Sequence, residues 1–209
     1  MRLTRTLLPL LLLAAITAAR AGDNPARGGE LYATCAACHG AQGEGNRSLN
    51  APRLTHLAPV YIVAQLQKFK QGTRGGSDAS ESARQMAGIA ATLADDQAMY
   101  DTAAYIANLG GEVSAVTVEA DTQIGAGYYR QYCSACHGPA AEGNLALHSP
   151  RLAGADDWYL LSQLQAFRGG VRGSQAGDKT GKQMRAMAGV LPDDEAVASV
   201  VAYIRSLAQ

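Results

Sequence analysis

Between residues 7 and 19 the chain is almost unbroken apolar sequence, preceded by Arg2 and Arg5 and followed by Ala19-Arg20-Ala21. Beyond it, hydrophobic residues recur three and four apart in short runs separated by glycine-rich polar segments, the pattern of amphipathic helices joined by loops. The spacing predicts a middle helix over 59–69 in one half of the chain and over 157–167 in the other. Shorter first helices are predicted over 29–38 and 127–136. Leu93-Ala94-Asp95-Asp96 and Leu191-Pro192-Asp193-Asp194 place acidic caps and first-turn residues ahead of last helices that run to Leu109 and Leu207. Segments 72–84 and 170–182 are too polar for a core and read as loops that something must tether, the methionine after each being the candidate. The expected fold class is all-α.

The second half repeats the first. Cys133 lies 98 positions after Cys35, and that offset carries Cys38-His39-Gly40 onto Cys136-His137-Gly138 and Glu44-Gly45-Asn46 onto Glu142-Gly143-Asn144. It carries Pro52-Arg53-Leu54 onto Pro150-Arg151-Leu152, Tyr61 onto Tyr159, and Gln65-Leu66-Gln67 and Phe69 onto Gln163-Leu164-Gln165 and Phe167. Met86, Asp95-Asp96 and Tyr105-Ile106 meet Met184, Asp193-Asp194 and Tyr203-Ile204 with no gap. A two-fold repeat this long means tandem domains, since solenoids need shorter and more numerous units. The division expected is a leader over 1–21, domains over 22–111 and 122–209, and a linker over 112–121 that lacks helical spacing.

The leader reads as a secretory signal peptide cut before Gly22, the alternative being a retained anchor. Its apolar run of about a dozen residues falls short of the ~20 that cross a bilayer, and no later segment is apolar enough to span. The mature chain is therefore expected in the periplasm. Cleavage removes Arg2, Arg5 and Arg20, so 18 basic against 18 acidic residues become 15 against 18. With no basic stripe to neutralise phosphates, nucleic acid is excluded as a partner.

An exported chain with four cysteines would ordinarily suggest disulfides, but each pair is followed by histidine. Cys35-Ala36-Ala37-Cys38-His39 and Cys133-Ser134-Ala135-Cys136-His137 are both C-x-x-C-H, the attachment signature of c-type haem. Cysteines three apart on one helical turn can each form a thioether with a haem vinyl group, and the adjacent histidine then meets the iron. The competing readings are a redox-active cysteine pair or half of a zinc site. Two copies behind a leader, each at the same place in a repeat, favour two covalently bound haem c groups. The composition agrees: each half has one Phe, a thin core that a buried macrocycle would fill.

The succession of C-x-x-C-H-G, P-R-L, Y-x-x-x-Q-L-Q-x-F, a methionine, and D-D before a helix ending A-Y-I-x-x-L resembles the class I cytochromes c. Duplicated, it resembles the two-haem cytochrome c-4 family. The departures are Pro192 before the second acidic pair and unlike loops before the methionines. The resemblance implies two tandem cytochrome c folds packed together, with His/Met-ligated haems, carrying electrons in the periplasm to a terminal oxidase. It also implies that the Pro52 and Pro150 carbonyls accept from the proximal histidines and so orient them.

His39 and His137 supply one axial position. For the other, a ligand needed by both domains should recur at the repeat offset, and only Met86/Met184 does. Met187, three residues after Met184, faces Ile89 in the repeat and competes with Met184. Met99 is expected in the core, and His56 and His148, which have no counterparts, on the surface. Arg53, Arg74, Arg151 and Arg172 are repeat-matched cations that could pair haem propionates or lie on a solvated face.

Two six-coordinate haems leave no iron site for substrate, which favours electron transfer over catalysis. The partners expected are a quinol-oxidising complex and a terminal haem–copper oxidase, with the protein monomeric and peripheral at the membrane surface. The alternative is an electron-transfer subunit of a periplasmic dehydrogenase, for example one oxidising sulfur compounds. A linker of this length should keep the domains docked, with both haem pockets turned towards the contact.

Overall fold

The computed structural model describes residues 22–208, so the expected leader lies outside the described residues. Nine α-helices are found among them, and the halves have parallel layouts. The first half comprises α1 (Pro25–His39), α2 (Pro59–Lys70), α3 (Glu81–Thr92) and α4 (Asp96–Ile106). The second comprises α5 (Thr122–Tyr128), α6 (Ser134–His137), α7 (Asp157–Arg168), α8 (Lys179–Ala188) and α9 (Asp194–Ser206).

Local chemistry sets the helix starts. Asn24 accepts from the N–H groups of Ala26 and Arg27, and Pro25 occupies the first helical position, so α1 begins four residues before the expected Gly29. Asp95 and Asp193 cap α4 and α9 through the N–H groups of Ala98 and Ala196, in the role the acidic pairs predict. The segments expected as loops over 72–84 and 170–182 are cut short. Ser80 and Asp178 cap α3 and α8 there, and these two helices, absent from the sequence reading, carry Met86 and Met184. α8 is polar on most faces, and the narrow apolar stripe carrying Met184 is submerged in a segment whose average composition is that of a loop.

The first and last helices of each half cross at backbone contact. A Cβ on Gly28 would lie 2.0 Å from the Asp101 carbonyl oxygen, and one on Gly125 would lie 1.9 Å from that of Ser199. Tyr32 and Tyr129 then pack on Tyr105 and Tyr203, and their hydroxyls donate to the carbonyls of Gly40 and Gly138. Asp101 and Ser199 keep the offset of 98, whereas Gly28/Gly125 and Tyr32/Tyr129 are 97 apart. The offset therefore changes by one residue just ahead of the cysteines. A π turn over Tyr129–Cys133, between α5 and α6, absorbs the extra residue.

Each half has its own core. Ile62, Leu66, Phe69, Met99 and Ile106 form one, with Met99 as buried as expected. Tyr129, Leu160, Val197, Val200 and Ile204 form the other. The segment between α4 and α5 is strapped onto the second core. Val118 is buried in it, and the Thr117 N–H, Thr117 hydroxyl and Val118 N–H all donate to Asp157.

Burial alone would raise the Asp157 carboxyl, but its hydrogen bonds from Thr117, Val118 and Trp158 outweigh burial and hold it below the usual carboxylate range. Asp157→Ala should therefore cost about 2–4 kcal/mol, because buried donors lose a charged acceptor. Chemical denaturation followed by circular dichroism measures the loss. The depressed value means that this stabilisation is complete above about pH 4, the unfolded carboxyl range, and disappears as pH falls through the folded value. The gap between wild type and variant should close in acid. A gap constant with pH would show that the carboxylate's charge has no part in the strap.

Candidate functional site

In each half the loop after the cysteine motif is folded by the Glu-Gly-Asn triplet. The Gly45 and Gly143 N–H groups donate to the carbonyls of His39 and His137. Both glycines have φ near +86° (87° and 86°), and a Cβ on either would sit 2.5 Å from the backbone nitrogen of Arg53 or Arg151. Asn46 and Asn144 next pair with Ala51 and Ser149, which turns the following proline carbonyl under the histidine. His39 Nδ1 lies 2.7 Å from the Pro52 carbonyl oxygen, and His137 Nδ1 lies 2.9 Å from that of Pro150. A carbonyl only accepts, so each Nδ1 carries the proton and each Nε2 keeps a free lone pair. Both imidazoles are 5% exposed. Burial lowers their proton affinity and the carbonyl bond offsets part of that.

The competing readings of the cysteine pairs fit poorly. Burial pushes the Cys35 and Cys133 thiols up to about 11, opposite to what a redox-active pair needs. Among the described residues no three His, Cys, Asp or Glu side chains converge as a metal site, as zinc would require.

Cys35, His39 and Met86 line a cavity that continues across the domain boundary to Cys133, His137 and Met184. Its walls are largely apolar, with Leu66 and Phe69 contributed by α2 and Leu160 and Phe167 by α7. Met86 packs against the first core. Met187, 38% exposed, is not among the residues lining the cavity.

The four repeat-matched arginines all border this cavity. Arg74 donates to Gln65 Oε1 (2.9 Å), Gln163 Oε1 (3.2 Å) and the Tyr159 hydroxyl (2.5 Å). Arg172 donates to Gln163 Oε1 (2.7 Å) and Gln65 Oε1 (3.0 Å). Each guanidinium also lies over its own domain's phenylalanine, Phe69 or Phe167, at 4.4 and 4.5 Å. The exchange is reciprocal, as across a two-fold axis. All these acceptors are neutral, so two half-buried cations border the cavity without a carboxylate bonded to either. Haem propionates would supply that charge, and with the cysteine, histidine and apolar wall pattern the residues fit two haems.

Arg53 is differently committed. Its Nε and Nη1 donate to the carbonyls of Gly111 and Gly154, and its N–H donates to Asp156, tying the first domain's proline loop to the second domain. Arg151 Nε bonds the Ala153 carbonyl. His148 is exposed, as expected. His56 corrects the surface expectation: its ring lies at the domain boundary with Nδ1 buried, because the docked second domain covers it.

Three features were missed in the sequence. Gln65 and Gln163 recur in the repeat and could have been flagged as polar residues on an otherwise apolar helix face. Asp156 and the Lys68–Asp178 pair left no signal, because neither is repeated. Lys68 Nζ lies 2.6 Å from Asp178 Oδ1 and 2.6 Å from Thr180 Oγ1. Asp178, whose side chain is 3% exposed, also caps α8, so the first domain holds the start of the helix bearing Met184.

The cytochrome c family model matches this chain twice, over residues 25–110 and 123–208. The chain is 32% identical to cytochrome c4 of Azotobacter vinelandii over 98% of its length and all of that protein's. It is 35% identical to a thiosulfate dehydrogenase electron acceptor of Stutzerimonas stutzeri, over 90% of this chain and 83% of that one. The crystal structure of reduced recombinant cytochrome c4 from Pseudomonas stutzeri superposes with a TM-score of 0.66 at 28% identity, covering 88% of this chain and 98% of that one. A thiosulfate dehydrogenase from Marichromatium purpuratum superposes at 0.68 with 29% identity, covering 86% of this chain and 39% of that longer one.

The arrangement of methionines yields a spectroscopic test. Met184→Leu should remove about half of the weak red-edge band from thioether sulfur to ferric iron, one haem of two, and Met187→Leu none of it. The opposite pair of results would move the ligand to Met187. Lys68→Met strands the buried Asp178 carboxylate, and should weaken the Met184 half of the band while sparing the half lost in Met86→Leu.

Proposed function

Because the chain belongs to the cytochrome c family, in its two-haem cytochrome c-4 branch, and carries two covalently bound haem c groups, we propose that it is a periplasmic electron carrier of a respiratory chain. It takes electrons from a quinol-oxidising complex and passes them towards a terminal haem–copper oxidase. The observation that carries this reading is the single cavity joining both ligand sets across the domain boundary. Tunnelling falls steeply with distance, so pockets that merge suit an electron entering at one haem and leaving from the other.

When bound, haem supplies the one-electron chemistry, and the protein sets its potential and its access. Cys35 and Cys38 anchor the first group, and Cys133 and Cys136 the second. His39 and His137, held in the Nδ1–H tautomer by the Pro52 and Pro150 carbonyls, would offer Nε2 to the irons. Met86 and Met184, which line the same cavity, would supply thioether ligands and so leave no iron position for substrate. The arginine–glutamine exchange ties the domains together and sets two cations on the cavity wall, where they would pair with haem propionates. The apolar leader argues for export, and no helix among the described residues is long and apolar enough to cross a membrane. A monomer resting at the membrane surface fits these partners.

A second reading makes the chain the electron-transfer partner of a periplasmic dehydrogenase. Its support is the 35% identity to the protein named thiosulfate dehydrogenase electron acceptor. Isolation from the native host separates the two. A carrier purifies alone and is oxidised by a haem–copper oxidase preparation, whereas a dehydrogenase partner co-purifies with its enzyme and is reduced only through it. In either case carbon monoxide should leave the reduced spectrum unchanged. A shift at one haem would show an open iron position and bring back catalysis.

A further inference from the structure

His56 occupies a special place in the duplicated fold. Its repeat counterpart, 98 residues on, is Gly154. The two meet across the boundary, since a Cβ built on Gly154 would lie 3.6 Å from His56 Cβ and 3.0 Å from Arg53 Nη1. Equivalent residues of two related halves touch only at the axis relating them, the axis already marked by the reciprocal Arg74–Gln163 and Arg172–Gln65 bonds. Two imidazoles could not share that position. Glycine on one side makes room for one, with φ of +83° that suits glycine.

The ring borders the common cavity, and its Nδ1 is buried without a hydrogen-bond partner among the described residues. Buried polar nitrogens are normally paired, so this one indicates a partner that the polypeptide does not supply. The charges around it give the sign of that partner. Arg53 faces the ring from its own loop and Arg151 from the equivalent loop of the second domain. Behind Arg53 stand Asp156, ahead of α7, and Arg205 on α9. Asp156 is occupied by the Arg53 N–H and the Ser114 hydroxyl, and the Arg205 guanidinium donates to the Ser114 carbonyl. A carboxylate of the haems the cavity fits is the anion that all three groups would accept.

We propose that His56, flanked by Arg53 and Arg151, is a proton-bearing carboxylate site at the domain boundary that binds a haem propionate and couples electron arrival at the haems to proton uptake. Per event, one electron from the redox partner reduces a ferric iron to ferrous and one proton from solvent converts the neutral His56 ring to imidazolium. Oxidation by the next partner returns both. The site exists once per molecule because Gly154 carries no ring, so a single proton is shared between two haems. Without a carboxylate, burial first and then Arg53 and Arg151 push His56 down to about 3. A propionate beside it acts in the opposite direction, and so does the loss of one positive charge when iron is reduced. The ring therefore binds its proton more tightly in the reduced protein. The midpoint potential must then fall as pH rises through the window between the oxidised and reduced values.

The inference rests on haem occupying the cavity, which the visible spectrum of each variant checks separately. Spectroelectrochemical titration over about pH 5 to 8, where histidine normally changes charge, should give falling potentials in wild type and a flatter dependence in His56→Asn and His56→Gly. Superimposable dependences in fully loaded variants would overturn the proposal. Histidine-selective 15N NMR of the reduced wild-type protein needs no variant and covers the case where substitution blocks haem loading. The His56 nitrogens should pass from imidazolium to neutral imidazole within that range. A ring that stays neutral throughout would equally refute it.

Discussion

The hydrogen bond between each histidine Nδ1 and a proline carbonyl thirteen residues later links the site to the rest of the molecule. It fixes the tautomer, and so decides which nitrogen is left for iron. It also requires the intervening loop to fold back under the helix end, which explains the repeated Glu-Gly-Asn triplet. The residue after the proline is then delivered to the domain boundary. Arg53, one peptide past the carbonyl that orients His39, bonds Asp156 and Gly154 of the other domain. Orientation of the ligand and docking of the domains are thus two ends of one short segment.

The halves share a plan but are unlike where they touch. The linker straps only the second core, through Asp157. Lys68 reaches from the first domain to the cap of the second domain's methionine helix, while the equivalent cap, Ser80, serves α3 from within its own domain. His56 faces a glycine. These differences put the two haems in unlike surroundings, a condition for unequal potentials and hence for electrons to have a preferred direction through the molecule.

Much of this was legible in the sequence because it is repeated or periodic. The cysteine motif, the acidic caps of α4 and α9, the middle helices and the core position of Met99 all follow from spacing and residue type. Two kinds of feature stayed hidden. α8 is polar on average and α3 nearly so, and both bury few residues, so their apolar stripes are narrow and their segments carry the composition of loops. The contacts between domains depend on residues such as Asp156, Asp178 and His56. These have no repeat partner, and their burial follows from docking, which no local pattern records. Reading His56 as a surface residue followed from treating each half as if it stood alone.

The π turn over Tyr129–Cys133 bears on the history of the chain. In each half the glycine and tyrosine that meet the last helix keep their spacing, and so do the cysteines and all that follows. Only the stretch between tyrosine and cysteine differs, by one residue. A single-codon insertion or deletion after the gene doubled accounts for this, and the helix took up the difference as a local bulge, leaving the haem anchor and the helix crossing in place. The anchor and the crossing therefore tolerate independent drift, with the helical turn between them serving as a length adjuster. A deletion of one residue within that turn would recreate the geometry of the sister half.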